Sequence, residues 1–381
     1  MAKIHSSKPS QPEGFSNHIH EVLRRAFGKS ANDVFDKSQL LQYIEIKTRS
    51  ANRGSKSRSS YANLYALYIV IEDYLAKGYD RKKNYSSKYD GAKFTDLMRR
   101  QRELPFGSKL QNHALNHRLN EEFKKYFPTS SIVPLIRNLE TQRYWINEGL
   151  LKVKVGKQSF NLAKVILKII EGYIDKKRDA FQRFIQTCNE FGKLQREDTQ
   201  SAITFIIELL EPNVDARLFE IVSYAILKYY YHDEKIYWGF SLESIKAESL
   251  KLYKTGRTNA NDGGIDFVMR PLGRFFQVTE TTDVTKFFLD IDKIERYPIT
   301  FVIKSEQTAD ELKDKLRRQA MQRYNVESIV SKYMACIEEI INLPTIRQRF
   351  QIAIEQGYLH QILEEIVKQS RVEFNDEGIS E

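Results

Sequence analysis

A mixed fold is predicted for these 381 residues: a large, mostly helical N-terminal region, an α/β core and C-terminal helices. Three observations predict it. Apolar residues recur at helical spacing through most of the first two hundred positions. Two extended runs, residues 265–269 and 274–280, flank the turn chemistry of Arg270-Pro-Leu-Gly273 and read as an antiparallel hairpin. After it, Phe287, Phe288, Ile291 and Ile294 give a helix, and the apolar run 299–303 gives a strand. A helical crossover lets that strand lie parallel to its neighbour.

A 41% hydrophobic content with 12% aromatics is enough to close a core in a chain of this length. No apolar run approaches the roughly 20 residues of a membrane-spanning helix. The first ten residues lack the apolar centre of a signal peptide, so a cytoplasmic location is expected. Cys188 and Cys336 sit in apolar, helix-like surroundings far apart in sequence and read as small core residues, not a disulfide or metal site. The net charge is +10, and residues 1–130 carry 24 Lys/Arg against 13 Asp/Glu, leaving 36 against 37 beyond. The excess is therefore confined to the first third, as expected of a phosphate-binding surface.

In order, residues 1–14 read as a flexible arm, 15–210 as a helical, basic DNA-recognition region, and 211–305 as the core. Residues 306–370 read as three bracing or dimerising helices, with breaks near Asn325 and Leu343-Pro344, and 371–381 as a flexible tail. The segment 48–60 mixes cations, hydroxyls and one glycine ahead of a helix with an apolar stripe at Leu64, Leu67, Tyr68, Ile71 and Leu75. Such a loop at a helix N-terminus, with Ser59 or Ser60 as cap, suits anions. Arg49, Arg53, Lys56, Arg58 and Ser59 are its candidate DNA contacts. Arg99, Arg100, Arg102, Lys109, Asn112 and Arg118 extend the same chemistry, supplying guanidinium, ammonium and amide donors to phosphates and base edges. His113 and His117 are four apart but lack a third ligand, so a polar helix face is expected. Residues 132–155 predict a helix followed by a short strand or hairpin, 161–191 one or two helices, and 242–252 an amphipathic helix approaching a glycine-rich loop.

That loop, Lys254-Thr-Gly-Arg-Thr-Asn-Ala-Asn-Asp-Gly-Gly-Ile-Asp266, enters the hairpin. Gly263-Gly264 permits close approach of backbone or phosphate, and Arg257, Asn259 and Asn261 could either grip a phosphate or cap turns. Alternation puts Phe275, Gln277 and Thr279 on one face of the second strand, and the hairpin brings Asp266 beside Gln277. Gly-Gly-Ile-Asp followed by a hydrophobic strand ending Gln-Val-Thr resembles the Mrr-type branch of the PD-(D/E)xK nuclease superfamily, and the wider segment resembles a type II restriction endonuclease. The resemblance covers about a quarter of the chain, and Thr279 stands where the family carries lysine. It implies a restriction-endonuclease-like core and a Mg²⁺ cofactor. It also implies Asp266 as principal metal ligand, with the Gln277 amide oxygen and the Val278 carbonyl as further ligands. The start of the helix at Arg217-Leu-Phe-Glu220 resembles the Phe-Glu helix of the same family. Glu220 would then orient the attacking water, or else simply favour the helix dipole.

The missing lysine leaves three replacements, Lys304 at the end of the neighbouring strand, Lys286, or a carboxylate-rich variant using Glu280. Lys304 is preferred. A second D…ExK match, Asp36 with Glu45-Ile-Lys47, has no turn residues between its parts and reads as a solvated helix face. The resemblance implies site-specific cleavage of double-stranded DNA by a homodimer paired functionally with a DNA methyltransferase, and no membrane partner. Alternatives are a modification-dependent or structure-selective nuclease, or a DNA-binding protein with a degenerate core.

Overall fold

The computed structural model describes residues 13–50, 56–81, 85, 89–107, 110–193, 199–212, 214–255 and 265–374. It is a mixed α and β protein in two compact units, residues 1–182 and 183–381. Among the described residues no helix is long and apolar enough to cross a membrane.

The first unit is built from α1 (Glu13–Phe27), α2 (Ala31–Lys37), α3 (Gln39–Ser50), α4 (Lys56–Ala76), α5 (Phe94–Glu103) and α6 (Leu119–Tyr126). Helix α4 is its axis. Tyr61, Leu64, Tyr65, Ala66, Leu67, Ile69, Val70, Ile71 and Tyr74 are all buried, so the helix is covered on every side where the sequence suggested one stripe. Because α4 starts at Lys56, Ser59 and Ser60 lie within the helix and not ahead of it. The Glu45–Lys47 stretch is helical, with Lys47 paired to Glu122 and Glu45 to Arg49.

The helix expected within 132–155 is largely strand. Strand β1 (Ala92–Lys93), β2 (Leu135–Asn138) and β3 (Arg143–Ile146) form one antiparallel sheet, and a one-turn helix α7 (Glu148–Leu151) leads to the hairpin β4 (Lys152–Val155) and β5 (Gln158–Asn161). Local chemistry explains it: the Asn138 side chain accepts from the Glu140 and Thr141 N–H groups and closes the turn, while Tyr144 and Ile146 face inward. Residues 163–193 are one continuous helix, α8 (Ala163–Lys193), through which the boundary between the units falls.

The second unit begins with α9 (Thr199–Glu208) and α10 (Ala216–Tyr230), the latter capped by the Asp215 carboxylate on the Arg217 N–H. A two-stranded ribbon follows, β6 (Lys235–Trp238) and β7 (Lys246–Ser249), then β8 (Lys251–Lys254), β9 (Phe267–Arg270) and β10 (Arg274–Thr279). The helix expected over 242–252 is therefore absent. Leu242 and Ile245 are exposed while Leu250 and Leu252 are buried, so the apparent helical period joined residues that share no face.

Helix α11 (Val284–Lys293) crosses to β11 (Ile299–Ile303), and α12 (Ala309–Tyr324) with α13 (Glu327–Ala335) crosses to β12 (Ile337–Ile341). Helices α14 (Leu343–Glu355) and α15 (Leu359–Phe374) close the chain. The C-terminal stretch thus holds a strand as well as helices. The resulting sheet has the order β12-β11-β10-β9-β8. Strands β8, β9 and β10 form an antiparallel meander, whereas β10, β11 and β12 run parallel.

All five residues of β11 are buried, as a strand covered on both faces requires. On one side Phe267, Met269, Phe276 and Val302 join α10, α14 and α15 in a core. On the other, Phe301 and Ile303 pack with Phe287 and Ile291 of α11 and with α12. Cys188 and Cys336 are free and buried, and burial pushes the Cys188 thiol up to about 12, in keeping with a core role. Phe301, packed on Phe287 with ring centroids 4.4 Å apart, fills the second core. Truncating it to alanine is expected to cost about 3–5 kcal/mol of unfolding free energy, measured by urea denaturation.

Candidate active site

Strand β10 pairs with β9 through Phe275↔Val268 and Phe276↔Phe267, and with β11 through Gln277↔Phe301 and Thr279↔Ile303. Beyond Phe267 the hairpin is continued by Asp266. Its N–H donates to the Phe276 carbonyl at 2.9 Å, and its Oδ2 accepts from the Val278 N–H at 2.7 Å. The Thr255 N–H donates to the Asp266 carbonyl at 3.1 Å, tying the end of β8 to the same point. The carboxylate is thereby oriented across the end of the hairpin.

Gln277 lies between these groups and is 8% exposed. Its amide Nε2 donates to the Val278 carbonyl at 3.2 Å, while its Oε1 is buried without a hydrogen-bond partner. An orphaned buried acceptor costs on the order of 1–3 kcal/mol. It is also a free oxygen ligand next to the residue that fixes Asp266. The Val278 backbone thus accepts from the Gln277 amide and donates to the Asp266 carboxylate.

The other expected groups separate onto two faces. Glu220, on α10, forms an ion pair with Lys254 at 2.8 Å, both side chains largely buried. Lys304 donates to the Val214 carbonyl at 2.5 Å and pairs with Glu280 at 3.0 Å, and its ammonium stands 5.5 Å from the centre of the Phe219 ring on α10. Lys304 and Glu280 therefore satisfy each other on the α10 side of the sheet, opposite the face that carries Gln277 and Thr279. Lys304, the replacement preferred from the sequence, therefore stands on the face opposite Thr279. Lys286 reaches instead from α11 to Thr279, its Nζ donating to the buried Oγ1 at 3.1 Å.

Sequence reasoning placed Lys254 at the start of the glycine-rich loop and did not foresee its pairing with Glu220; it is the last residue of β8. Residues Gly263 and Gly264 and the loop residues Arg257, Asn259, Asn261 and Asp262 lie outside the described residues. Among the described residues no group of three or more His, Cys, Asp or Glu side chains could hold a metal ion. That includes His113 and His117, whose rings meet edge to face at 5.8 Å.

In the first unit Arg53 and Lys109 lie outside the described residues, as do the side chains of Lys56, Arg58 and Ser59. Arg49 pairs with Glu45 at 3.0 Å and Arg99 with Asp96 at 2.9 Å, both exposed pairs of small energetic weight. Arg100 is held by Glu72 through two bonds of 2.8 Å, which raises its already high pKa and suits it to bracing α5 against α4. Arg102 Nε donates to the Leu110 carbonyl at 3.4 Å, and Asn112 and Arg118 are exposed.

Removing the ammonium of Lys304, of which only 3% is exposed, would take away the cation paired with Glu280. Lys304→Met is expected to lose about 1–3 kcal/mol, read as a lowered thermal midpoint. Adding Glu280→Gln in the same chain should recover part of that loss, which a purely apolar defect would not allow. Comparison of the chain with protein-family models, with curated proteins and with solved structures gives no match.

Proposed function

We propose that the protein is a Mg²⁺-dependent, site-specific endonuclease of double-stranded DNA, of the type II restriction kind with a PD-(D/E)xK core. The observation that carries the reading is the order helix α10, meander β8-β9-β10, crossover helix α11 and parallel strand β11, with Asp266 fastened to the strand that bears an orphaned Gln277 oxygen. That donor set suits Mg²⁺, which takes oxygen ligands and retains several waters, so it needs few from protein. Asp266, the Gln277 Oε1 and the Val278 carbonyl would hold it.

Bound there, the ion supplies Lewis-acid charge to the phosphate and its attacking water. The chain's own contribution is positioning. The Val278 N–H fixes the Asp266 carboxylate, β11 fixes Gln277, and the paired Glu220 and Lys254 set the end of β8 that leads into the glycine-rich loop. The basic first third, with the segment 48–60 and the exposed Asn112 and Arg118, would bind the duplex backbone and base edges. A homodimer matches a palindromic target, and a methyltransferase would protect the host sites. Thr279, which cannot carry positive charge, favours a second reading as a DNA-binding protein with a degenerate core.

Incubation of unmethylated phage DNA with purified protein, with and without Mg²⁺, separates the two. Wild type is expected to yield discrete fragments only with the metal, and Asp266→Ala to lower the rate by at least roughly 10²–10³-fold. Binding without cleavage under all divalent metals would favour the degenerate core. Equal cleavage by both proteins would place the active site elsewhere.

A further inference from the structure

We propose that Lys286, from the helix after the hairpin, supplies the cation that the strand position Thr279 lacks; this rests on the nuclease reading above. Among the described residues, Lys254, Lys286 and Lys304 stand near the open end of the hairpin. Lys254 and Lys304 are each neutralised by a carboxylate, Glu220 and Glu280 respectively. Among the described residues no carboxylate pairs with Lys286, whose ammonium is directed to a neutral acceptor, the Thr279 Oγ1, at 3.1 Å. Thr279 is 4% exposed and follows Gln277 by two residues on the same face, so its hydroxyl marks the place a strand lysine would leave from.

The location of Lys286 is costly in itself. It is the third residue of α11, whose N-cap is Asp283, and a cation in the first turn opposes the helix dipole. What the ammonium meets is the Thr279 hydroxyl, on the strand face that also bears Gln277. There the ammonium would steady the phosphate oxygens as negative charge develops on them. Water forms the new bond to phosphorus as the phosphorus–oxygen bond to the sugar breaks. The water's proton passes to solvent, the leaving oxygen takes one from solvent, and Lys286 stays protonated throughout.

The test compares wild type, Lys286→Ala, and Lys286→Ala with Thr279→Lys, which returns the ammonium from the strand into the space the alanine vacates. Cleavage with Mg²⁺ is read beside duplex affinity in Ca²⁺ and thermal midpoint. Lys286→Ala is expected to cleave roughly 10²–10³-fold more slowly, with Ca²⁺-supported affinity within about twofold of wild type, and the double variant to regain at least about tenfold of the lost rate. Wild-type cleavage by Lys286→Ala, a loss that tracks affinity or unfolding, or a double variant as slow as the single would each overturn the assignment. A wild type that binds duplex yet never cleaves would overturn the nuclease reading, and the role of Lys286 with it.

Discussion

The bond between the Asp266 carboxylate and the Val278 N–H is the constraint on which the proposed site depends. Backbone pairing of β9 with β10 is registered only as far as Phe267↔Phe276, and a side-chain oxygen continues it by one further step. A buried N–H in the middle of a sheet must find an acceptor, and Asp266 provides it at 2.7 Å. In doing so the carboxylate is locked next to Gln277, whose own amide is turned onto the Val278 carbonyl. A single local device therefore satisfies the strand N–H and holds the Asp266 carboxylate at the end of the hairpin.

Around that point charge is distributed by the faces of the sheet. On the α10 side Lys254 pairs with Glu220 and Lys304 with Glu280, since a buried ion left alone is far more costly than a buried pair. Lys304, wedged between Glu280, the Val214 carbonyl and the Phe219 ring, fastens the end of β11 to the start of α10. On the α11 side Lys286 meets the Thr279 hydroxyl, and among the described residues no carboxylate pairs with it. In the proposed site the contrast separates cations that hold the fold from one whose charge would be available to substrate. A further set of ions, Arg274 and Arg349 with Glu338 and Glu339, braces the opposite ends of β10 and β12 and lies outside the proposed chemistry.

Period-2 alternation and turn residues made the hairpin, α11 and β11 legible, because each of these elements carries its own local pattern. Strand β12 was hidden by Glu338 and Glu339, which look like a helix surface until their partner Arg274, distant in sequence, is brought alongside. The meander strand β8 was hidden for a related reason: Leu242 and Ile245 are exposed at the turn of the ribbon, and their spacing to Leu250 and Leu252 imitated a helix. The pairing of Lys254 with Glu220 was hidden with it. Placing Asp266 beside Gln277 needed only hairpin register, whereas choosing Lys286 over Lys304 needed the two faces of the sheet, which adjacency along β11 alone does not convey. The burial of α4 on every side also escaped the one-face pattern, whose stripe included Tyr68 but left out the buried Tyr61, Tyr65 and Tyr74.

Mapping DNA ends is the most direct test of the central claim that the Asp266 hairpin cuts DNA at defined sites. Ends would be sequenced after Mg²⁺ digestion of one unmethylated phage genome by wild type and by Asp266→Ala. The account predicts that wild-type ends fall at one short recurring sequence and that the variant leaves the genome intact. Ends scattered without a shared sequence, or the same ends from the variant, would contradict it.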